Sequence, residues 1–303
     1  MKRVLCAIDF SEFTPSVLAC AGALTQSLRG ELIVFHSVHF PKDDLYSTDA
    51  MLERPAKTRR LRQQAVATMG DLMAAVSVNG CPEIADGEPV DQIVKAVGRG
   101  NVDLVVTASH DLSGVQRLLL GTVVERLARR LNVPLLVVRP FSTGPDTTRP
   151  MAWSPKTVIV GCQLKPGHEP AVTVSLKLAQ SLQACLCVVH AMASPLDASL
   201  VEPTAAPYEE VQSRLVGLLH ERLKSQLPEG DEIELQLVPG MAGEALVDTV
   251  ADRLSTLIVV GARPRSVLGK LFFGSTTEWV LRHAPCPVLV VPADKTVTGP
   301  IAP

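Results

Sequence analysis

The chain has 303 residues, of which 47% are hydrophobic, 4% aromatic and 20% charged. At roughly 150 residues per domain that length corresponds to two domains, and the composition is typical of a globular protein with an aliphatic core, which excludes a disordered chain. The 29 lysines and arginines nearly balance the 31 aspartates and glutamates, leaving a net charge of −2. The sequence therefore lacks the basic surface of a nucleic-acid-binding protein, and we expect no nucleic-acid partner.

Neither a membrane segment nor an export signal is predicted. No apolar run approaches the roughly 20 residues that span a bilayer, and the apolar stretch near the start ends at Asp9. The seven cysteines are an odd number without a C-x-x-C pair, which favours free thiols over disulfides or a zinc site. We therefore expect a cytoplasmic protein without a membrane partner. Four cysteines lie in aliphatic runs that predict buried strands: Cys6, Cys162, Cys185 and Cys187.

Strands and helices alternate along the first half. An aliphatic run over residues 3–8 predicts a strand covered on both faces. Thr14 and Pro15 then predict the N-cap and first position of a helix that ends before Gly30. The elements predicted after this helix are strands over 31–38, 81–86, 103–108 and 134–139, and helices over 56–78, 89–99 and 122–131.

The second half repeats this alternation, with strands predicted near 157–162, 184–191, 232–238, 256–261 and 287–292. Between the halves, residues 141–155 are rich in proline and hydroxyl residues, as is typical of a linker. We therefore predict two domains, over residues 1–147 and 148–303. Each should be a parallel, doubly wound α/β sheet, whose ligands bind outside the carboxyl ends of the strands.

The two halves also share residues. Residues 87–140 align with 240–293 without a gap, and His36 matches His190 after a one-residue change in alignment. A repeat as long as a whole domain indicates duplication of that domain rather than a solenoid. Identical pairs in the gap-free alignment include Leu104/Leu257, Gly121/Gly274, Glu125/Glu278, Arg129/Arg282 and Pro134/Pro287.

The loop that follows the strand at 256–261 carries the strongest binding signal. It contains Arg263 and Arg265, and it ends in Gly274, Ser275 and Thr276 at a predicted helix start. Backbone N–H groups at a helix N-terminus bind anions, and arginines can add charge-assisted contacts. The alternative is a capping box, in which the Ser275 and Glu278 side chains satisfy the helix N-terminus themselves, as Thr122 and Glu125 would in the first half.

These features together resemble the universal stress protein family. The resemblance rests on Val-Leu-Cys-Ala-Ile-Asp-x-Ser over residues 4–11, the Phe-His-x-Val strand end at His36, the loop over 260–278, and Leu-Arg-His-Ala-Pro-Cys-Pro-Val-Leu-Val-Val over 281–291. It covers residues 2–140 and 156–293. It implies two tandem Rossmann-like, adenine nucleotide alpha hydrolase-like domains packed as a pseudo-dimer through their final strands. It also implies self-association, with a homodimer as one form.

The ATP-binding branch of that family carries Gly-x2-Gly-x9-Gly-(Ser/Thr), and an aspartate ends the first strand. In the second half Gly261, Gly274 and Ser275 match, but Pro264 replaces the middle glycine and Gln163 the aspartate. The resemblance thus implies that the second half is the better candidate for ATP, with Mg²⁺ only alongside a bound nucleotide. In the first half the matches are Asp9, Gly121 and Thr122, and the first two glycines are Ala108 and Asp111.

Two other patterns remain. Ser109, His110 and Asp111 are the residue types of a catalytic triad, but three consecutive residues cannot converge in triad geometry. Proline-containing segments over 41–55 and 194–207 interrupt corresponding places in the two halves, and we expect them to be mobile loops over the ligand edges.

The leading functional hypothesis is a cytoplasmic tandem stress-response protein that binds a nucleotide or another small anionic ligand in its second half. A weak nucleotide hydrolase is the first alternative, although neither a metal ligand nor a general base is evident among Gln163, Pro264 and Ser275. An interaction protein that binds no nucleotide is the second.

Overall fold

The computed structural model describes residues 2–39, 48–109, 122–139, 153–163, 170–192, 208–224, 233–251, 255–262 and 274–292. The chain divides into two compact units, the first ending at Trp153 and the second beginning at Ser154. The predicted boundary between residues 147 and 148 lies outside the described residues, and it stays a prediction.

In the first unit, strands and helices alternate as the sequence predicts. The elements are β1 (Arg3–Ala7), α1 (Thr14–Ser27), β2 (Glu31–Val38), α2 (Thr48–Ala75), β3 (Cys81–Asp86), α3 (Pro89–Gly98), β4 (Leu104–Ala108), α4 (Thr122–Arg130) and β5 (Leu135–Val138). The strands pair in parallel in the order β3-β2-β1-β4-β5. The chain thus runs from β1 outward to β3 and then returns past β1, which is the doubly wound arrangement.

The second unit repeats this topology. Its elements are β6 (Thr157–Gly161), α5 (Pro170–Leu182), β7 (Cys185–Met192), α6 (Tyr208–Lys224), β8 (Ile233–Pro239), α7 (Ala242–Asp248), β9 (Thr256–Ala262), α8 (Ser275–His283) and β10 (Val288–Pro292). The parallel strand order is β10-β9-β6-β7-β8, so β6 takes the central place that β1 has in the first unit.

Aliphatic strands form the core of each unit. Val4, Leu5 and Cys6 of β1 are fully buried, as are Val105 and Val106 of the adjacent β4. A strand that is buried on both faces has a continuous run of apolar residues rather than alternating apolar and polar ones. These strands could be predicted from the sequence for that reason. Among the described residues, no helix is both long and apolar enough to cross a bilayer.

Three local predictions were wrong. Helix α2 begins at Thr48, so the later part of the predicted loop over 41–55 is helical, with Pro55 inside the helix. Thr14 is the first helical residue of α1 rather than its N-cap; Phe13 takes that position, without a side-chain cap. Cys185 is exposed, because it opens β7 at the amino edge of the sheet. The predicted loop over 194–207 lies outside the described residues.

Candidate ligand-binding edges

Each sheet has one place where the direction of winding reverses, and the carboxyl ends of the two strands there flank a crevice that typically binds ligands. In the first unit these strands are β1 and β4, and in the second they are β6 and β9. The register of the second sheet pairs Val160 with Val259 on one side and with Val188 on the other. Two residues further along, Gly261, Cys162 and His190 therefore stand level at the carboxyl edge.

The first unit has a cavity of about 220 Å³ at this edge. It lies between the ends of β1, β2 and β4, where the doubly wound topology predicts a ligand. Its lining includes two of the predicted site residues, Asp9 and Thr122, which the fold thus brings to one cavity. The other lining residues are largely apolar and include Ala7, Phe35, His36 and Ala108.

The turn after β1 shapes the mouth of this cavity. The Asp9 carboxylate accepts a hydrogen bond from the Ser11 backbone N–H at 3.0 Å, which closes an Asx turn. Phe10, between them, has a left-handed backbone with φ of 62°, a strained conformation for a residue with a bulky side chain. Its ring lies against the His36 ring, with centroids 4.1 Å apart. The strained turn thus places an aromatic ring over a histidine.

The two histidines that the repeat aligns form the same hydrogen bond. His36 Nδ1 lies 2.9 Å from the Ile8 carbonyl oxygen, and His190 Nδ1 lies 2.9 Å from the Cys162 carbonyl oxygen. A carbonyl oxygen only accepts, so Nδ1 donates in both units and ties the second strand to the end of the first. Burial lowers the pKa of His36 below 6.5, against the opposing effects of the Ile8 carbonyl and the Asp9 charge.

In the second unit, the N-terminus of α8 is not capped by a side chain. Its N-cap is Gly274, so Ser275 is the first helical residue and the predicted capping box does not form. Glu278 instead pairs with Arg282 along the helix, at 2.7 Å. The first-turn backbone N–H groups of α8 are therefore left without a side-chain acceptor at the N-cap.

A hydroxyl that sequence reasoning missed positions this helix. Thr277 is 2% exposed, and its hydroxyl donates to the Gly261 carbonyl at 3.0 Å. The start of α8 is thereby held at the end of β9, beside the switch point. The repeat gave no signal for this role, because the aligned residue of the first half is Val124.

The remaining predicted residues have mixed outcomes. Ser275 and Thr276 lie in the first turn of α8, and Gln163 follows β6 as Asp9 follows β1. Ser109 is buried at the end of β4. The positions that fall outside the described residues are His110, Asp111, Gly121, Arg263, Pro264 and Arg265.

The described residues offer no group of three or more histidine, cysteine or acidic side chains that could hold a metal ion. Burial raises the pKa of Cys6 to about 12. It also raises the pKa of Cys187 to about 12, with smaller contributions from Glu234 and Cys185. Thiols with such high pKa values remain protonated at neutral pH, so these two pack as small hydrophobic side chains rather than act as nucleophiles.

Two doubly wound parallel α/β units in one chain, each with a switch point in its strand order, define a tandem Rossmann-like α/β protein. The chain belongs to the universal stress protein family, whose model matches residues 1–139 and 155–292. A universal stress protein of Thermus aquaticus is 32% identical over 142 residues, which are 45% of this chain and 98% of that relative. One of Mycobacterium tuberculosis is 28% identical over 211 residues, covering 69% of this chain and 67% of the relative.

A solved structure extends the fold likeness to both units. The crystal structure of a universal stress protein from Archaeoglobus fulgidus aligns with a TM-score of 0.67 at 18% identity. The alignment covers 96% of this chain and 98% of that one. The tandem arrangement of the fold is thus shared with an experimentally determined structure.

Proposed function

We propose that this protein is a regulatory module that binds a nucleotide or another small anionic ligand at the carboxyl edge of its second sheet, without turning it over. One observation carries the proposal: helix α8 begins at the switch point without a side-chain cap. Uncapped N–H groups and the positive end of the helix dipole attract an anion.

The described residues leave space at this helix start. None of their heavy atoms lies within 4 Å of the place where a Cβ on Gly274 would stand, and at Gly261 the Ala171 methyl is the one described group that does, at 3.7 Å. A ligand can therefore approach the backbone at both glycines. The bond from Thr277 to the Gly261 carbonyl holds the helix in place before a ligand arrives, which reduces the ordering cost of binding.

ATP is the leading nucleotide, because Gly261, Gly274 and Ser275 keep part of the phosphate-loop pattern that the family resemblance implies. Arg263 and Arg265 would offset phosphate charge, and Mg²⁺ would enter with the nucleotide. Gln163 places a neutral amide where the pattern has a carboxylate, so it cannot serve as a general base. For that reason we propose binding rather than hydrolysis. Asp9, Gly121 and Thr122 would form the corresponding, weaker site of the first unit.

The substitution Gly274→Asp tests the proposal. Gly274 has φ of −60° and ψ of 143°, which any residue adopts, and none of the described residues has a heavy atom within 4 Å of the position that a Cβ would take. The new carboxylate would cap α8, so the thermal midpoint should stay level or rise slightly. The same carboxylate would occupy the N–H groups and repel phosphate, so affinity for ATP should fall at least about tenfold. Calorimetric titration with ATP, with and without Mg²⁺, measures this loss.

The matched control is Gly274→Ala, which adds a methyl group but neither a cap nor a charge, and which should retain ATP affinity. Equal ATP affinity in the Asp variant and the wild type would place the ligand elsewhere. If the wild type binds neither ATP nor inorganic tripolyphosphate at millimolar concentration, the second unit has no anion site. Steady release of phosphate that stops in the Asp variant would favour the hydrolase instead.

A further inference from the structure

The most informative side chain at the edge of the second sheet is His190, near the end of β7. Only 7% of its surface is exposed. Its Nδ1 donates to the Cys162 carbonyl at 2.9 Å, and in the neutral ring this arrangement leaves Nε2 as a hydrogen-bond acceptor. Among the described residues, Nε2 is buried and has no hydrogen-bond partner. A buried acceptor without a donor costs free energy, so such a group in a folded protein calls for an explanation.

The position of the ring supplies one. Cys162 directly follows the central strand β6, and the strand register places it level with Gly261 of β9, the residue whose carbonyl holds α8. The hydrogen bond to Cys162 draws the His190 ring from β7 to the end of β6. The acceptor nitrogen and the start of α8 therefore belong to the same carboxyl edge of the sheet, where β7 and β9 flank β6.

We infer that His190 is a ligand-binding residue of the second unit, whose Nε2 accepts a hydrogen bond from an N–H or O–H group of the bound molecule. This inference rests on the proposed function, because it assumes that an anion occupies the start of α8. It also narrows the ligand class. The ligand carries an anionic group for the start of α8 and, elsewhere in the same molecule, a hydroxyl or amine donor for His190. Inorganic phosphate chains have only the first of these.

The histidine of the first unit is different in its surroundings. His36 forms the same bond to a strand-end carbonyl, but it is only partly buried and lies against the Phe10 ring. Its Nε2 is not among the buried groups that lack a partner. Of the two aligned histidines, His190 is thus the one with a buried acceptor that lacks a partner among the described residues.

Two substitutions test the roles of the two ring nitrogens of His190 separately. His190→Asn retains a donor near the Nδ1 position for the Cys162 carbonyl but removes the Nε2 acceptor. His190→Gln places an amide oxygen near the Nε2 position and gives up the bond to Cys162. Calorimetric titration with ATP should show roughly tenfold weaker binding for the Asn variant and near-wild-type binding for the Gln variant. Affinity for inorganic tripolyphosphate should be the same in all three proteins, and His220→Asn, at an exposed position of α6, should leave both affinities unchanged.

Each alternative outcome identifies what has failed. Unchanged ATP binding in the Asn variant would overturn the role of His190, with an internal water or a neighbouring loop then satisfying Nε2, and would leave the proposed function intact. An equal loss of ATP and tripolyphosphate binding would show that His190 only supports the fold. Thermal melts show whether each variant folds. If the Asn variant does not fold, the ATP affinity of the Gln variant alone tests the role of His190. Failure of the wild type to bind either probe would overturn the proposed function and this inference with it.

Discussion

The two aligned histidines show how one residue can keep a structural bond while its surroundings change. Both tie a second strand to the end of the central strand through Nδ1. His36 lies against Phe10 and close to the charge of Asp9, whereas His190 is nearly fully buried, in the unit where Gln163 replaces that aspartate. The shared bond belongs to the fold, and the differing environments determine what each ring can do chemically.

Stability should depend on pH through His36. Burial lowers its folded-state pKa below the unfolded value of about 6.5, so the unfolded chain binds the proton first. The contribution of neutral His36 is therefore fully present above about pH 6.5 and decreases as the pH falls toward the folded pKa. Urea unfolding at pH 7.5 and 5.5 should show a larger drop in unfolding free energy for the wild type than for His36→Asn.

Carboxylates that titrate in both proteins, including Asp9 at the same cavity, contribute to both decreases in unfolding free energy. Subtracting one decrease from the other therefore removes their contribution. An equal drop in both proteins would mean that His36 titrates alike in the folded and unfolded chains. That result would contradict the effect of burial on its pKa.

At the scale of elements, the two units hold the same pair of helices together with different chemistry. In the first unit Glu88 caps α3 through the Asp91 N–H, and Arg126 of α4 donates to both oxygens of Glu88, at 2.7 and 3.2 Å. In the second unit the residue aligned with Arg126 is Trp279. Its ring packs against Gly243 of α7 and stacks on His283, with centroids 4.1 Å apart. An exposed ion pair is thus replaced by aromatic packing, which salt does not screen.

Gly243→Ala should destabilise the second unit. A Cβ on Gly243 would stand 3.0 Å from Trp279 Cε3 and 3.1 Å from Trp279 Cβ, closer than van der Waals contact allows. Helix α7 or the indole would have to shift, at a cost of about 1–3 kcal/mol. The control is Gly217→Ala in α6, where a Cβ meets none of the described residues within 4 Å and should stabilise the protein by about 0.5–1 kcal/mol. Chemical unfolding of both variants measures the contrast, and a neutral Gly243→Ala would mean that the indole moves freely.

At the scale of the whole molecule, the accessibility of the thiols tests the burial of the cysteines in both units. The seven cysteines comprise two exposed thiols, Cys81 in the first unit and Cys185 in the second, and five buried ones. A thiol reagent should therefore label two cysteines rapidly in the native protein and all seven after denaturation. Mass spectrometry of digested fragments should locate the rapid labels at these two positions. Rapid labelling of Cys6 or Cys187 would contradict the burial that raises their pKa values.

Several expectations about the whole molecule stay predictions. These are the pairing of the final strands, within the chain or in a homodimer, the cytoplasmic location, and the domain boundary near residue 148. An aliphatic edge strand favours association, because its unpaired backbone groups can continue a sheet, and the prediction of strand pairing rests on that argument.

The order and type of the elements could be predicted from the sequence, because they depend on local patterns. Aliphatic runs such as the one at Val4 indicate buried parallel strands. Because the domain is duplicated, the same order of elements is predicted independently in each half. The side-chain partners at helix starts could not be predicted in the same way. Ser275 and Glu278 have the spacing of a capping box, but α8 begins one residue too early for Ser275 to be the N-cap. Thr14 and Phe13 show the same one-residue shift at α1.

Sequence alone was therefore sufficient for the tandem α/β architecture and for the loops that should hold a ligand, since periodicity and repetition are properties of the chain itself. Only the folded structure brought Asp9 and Thr122 to one cavity, left the start of α8 uncapped, and placed the buried His190 acceptor at the end of β6. These features depend on which residues meet across strands distant in sequence. Such contacts arise from register and packing, which leave no local pattern to read.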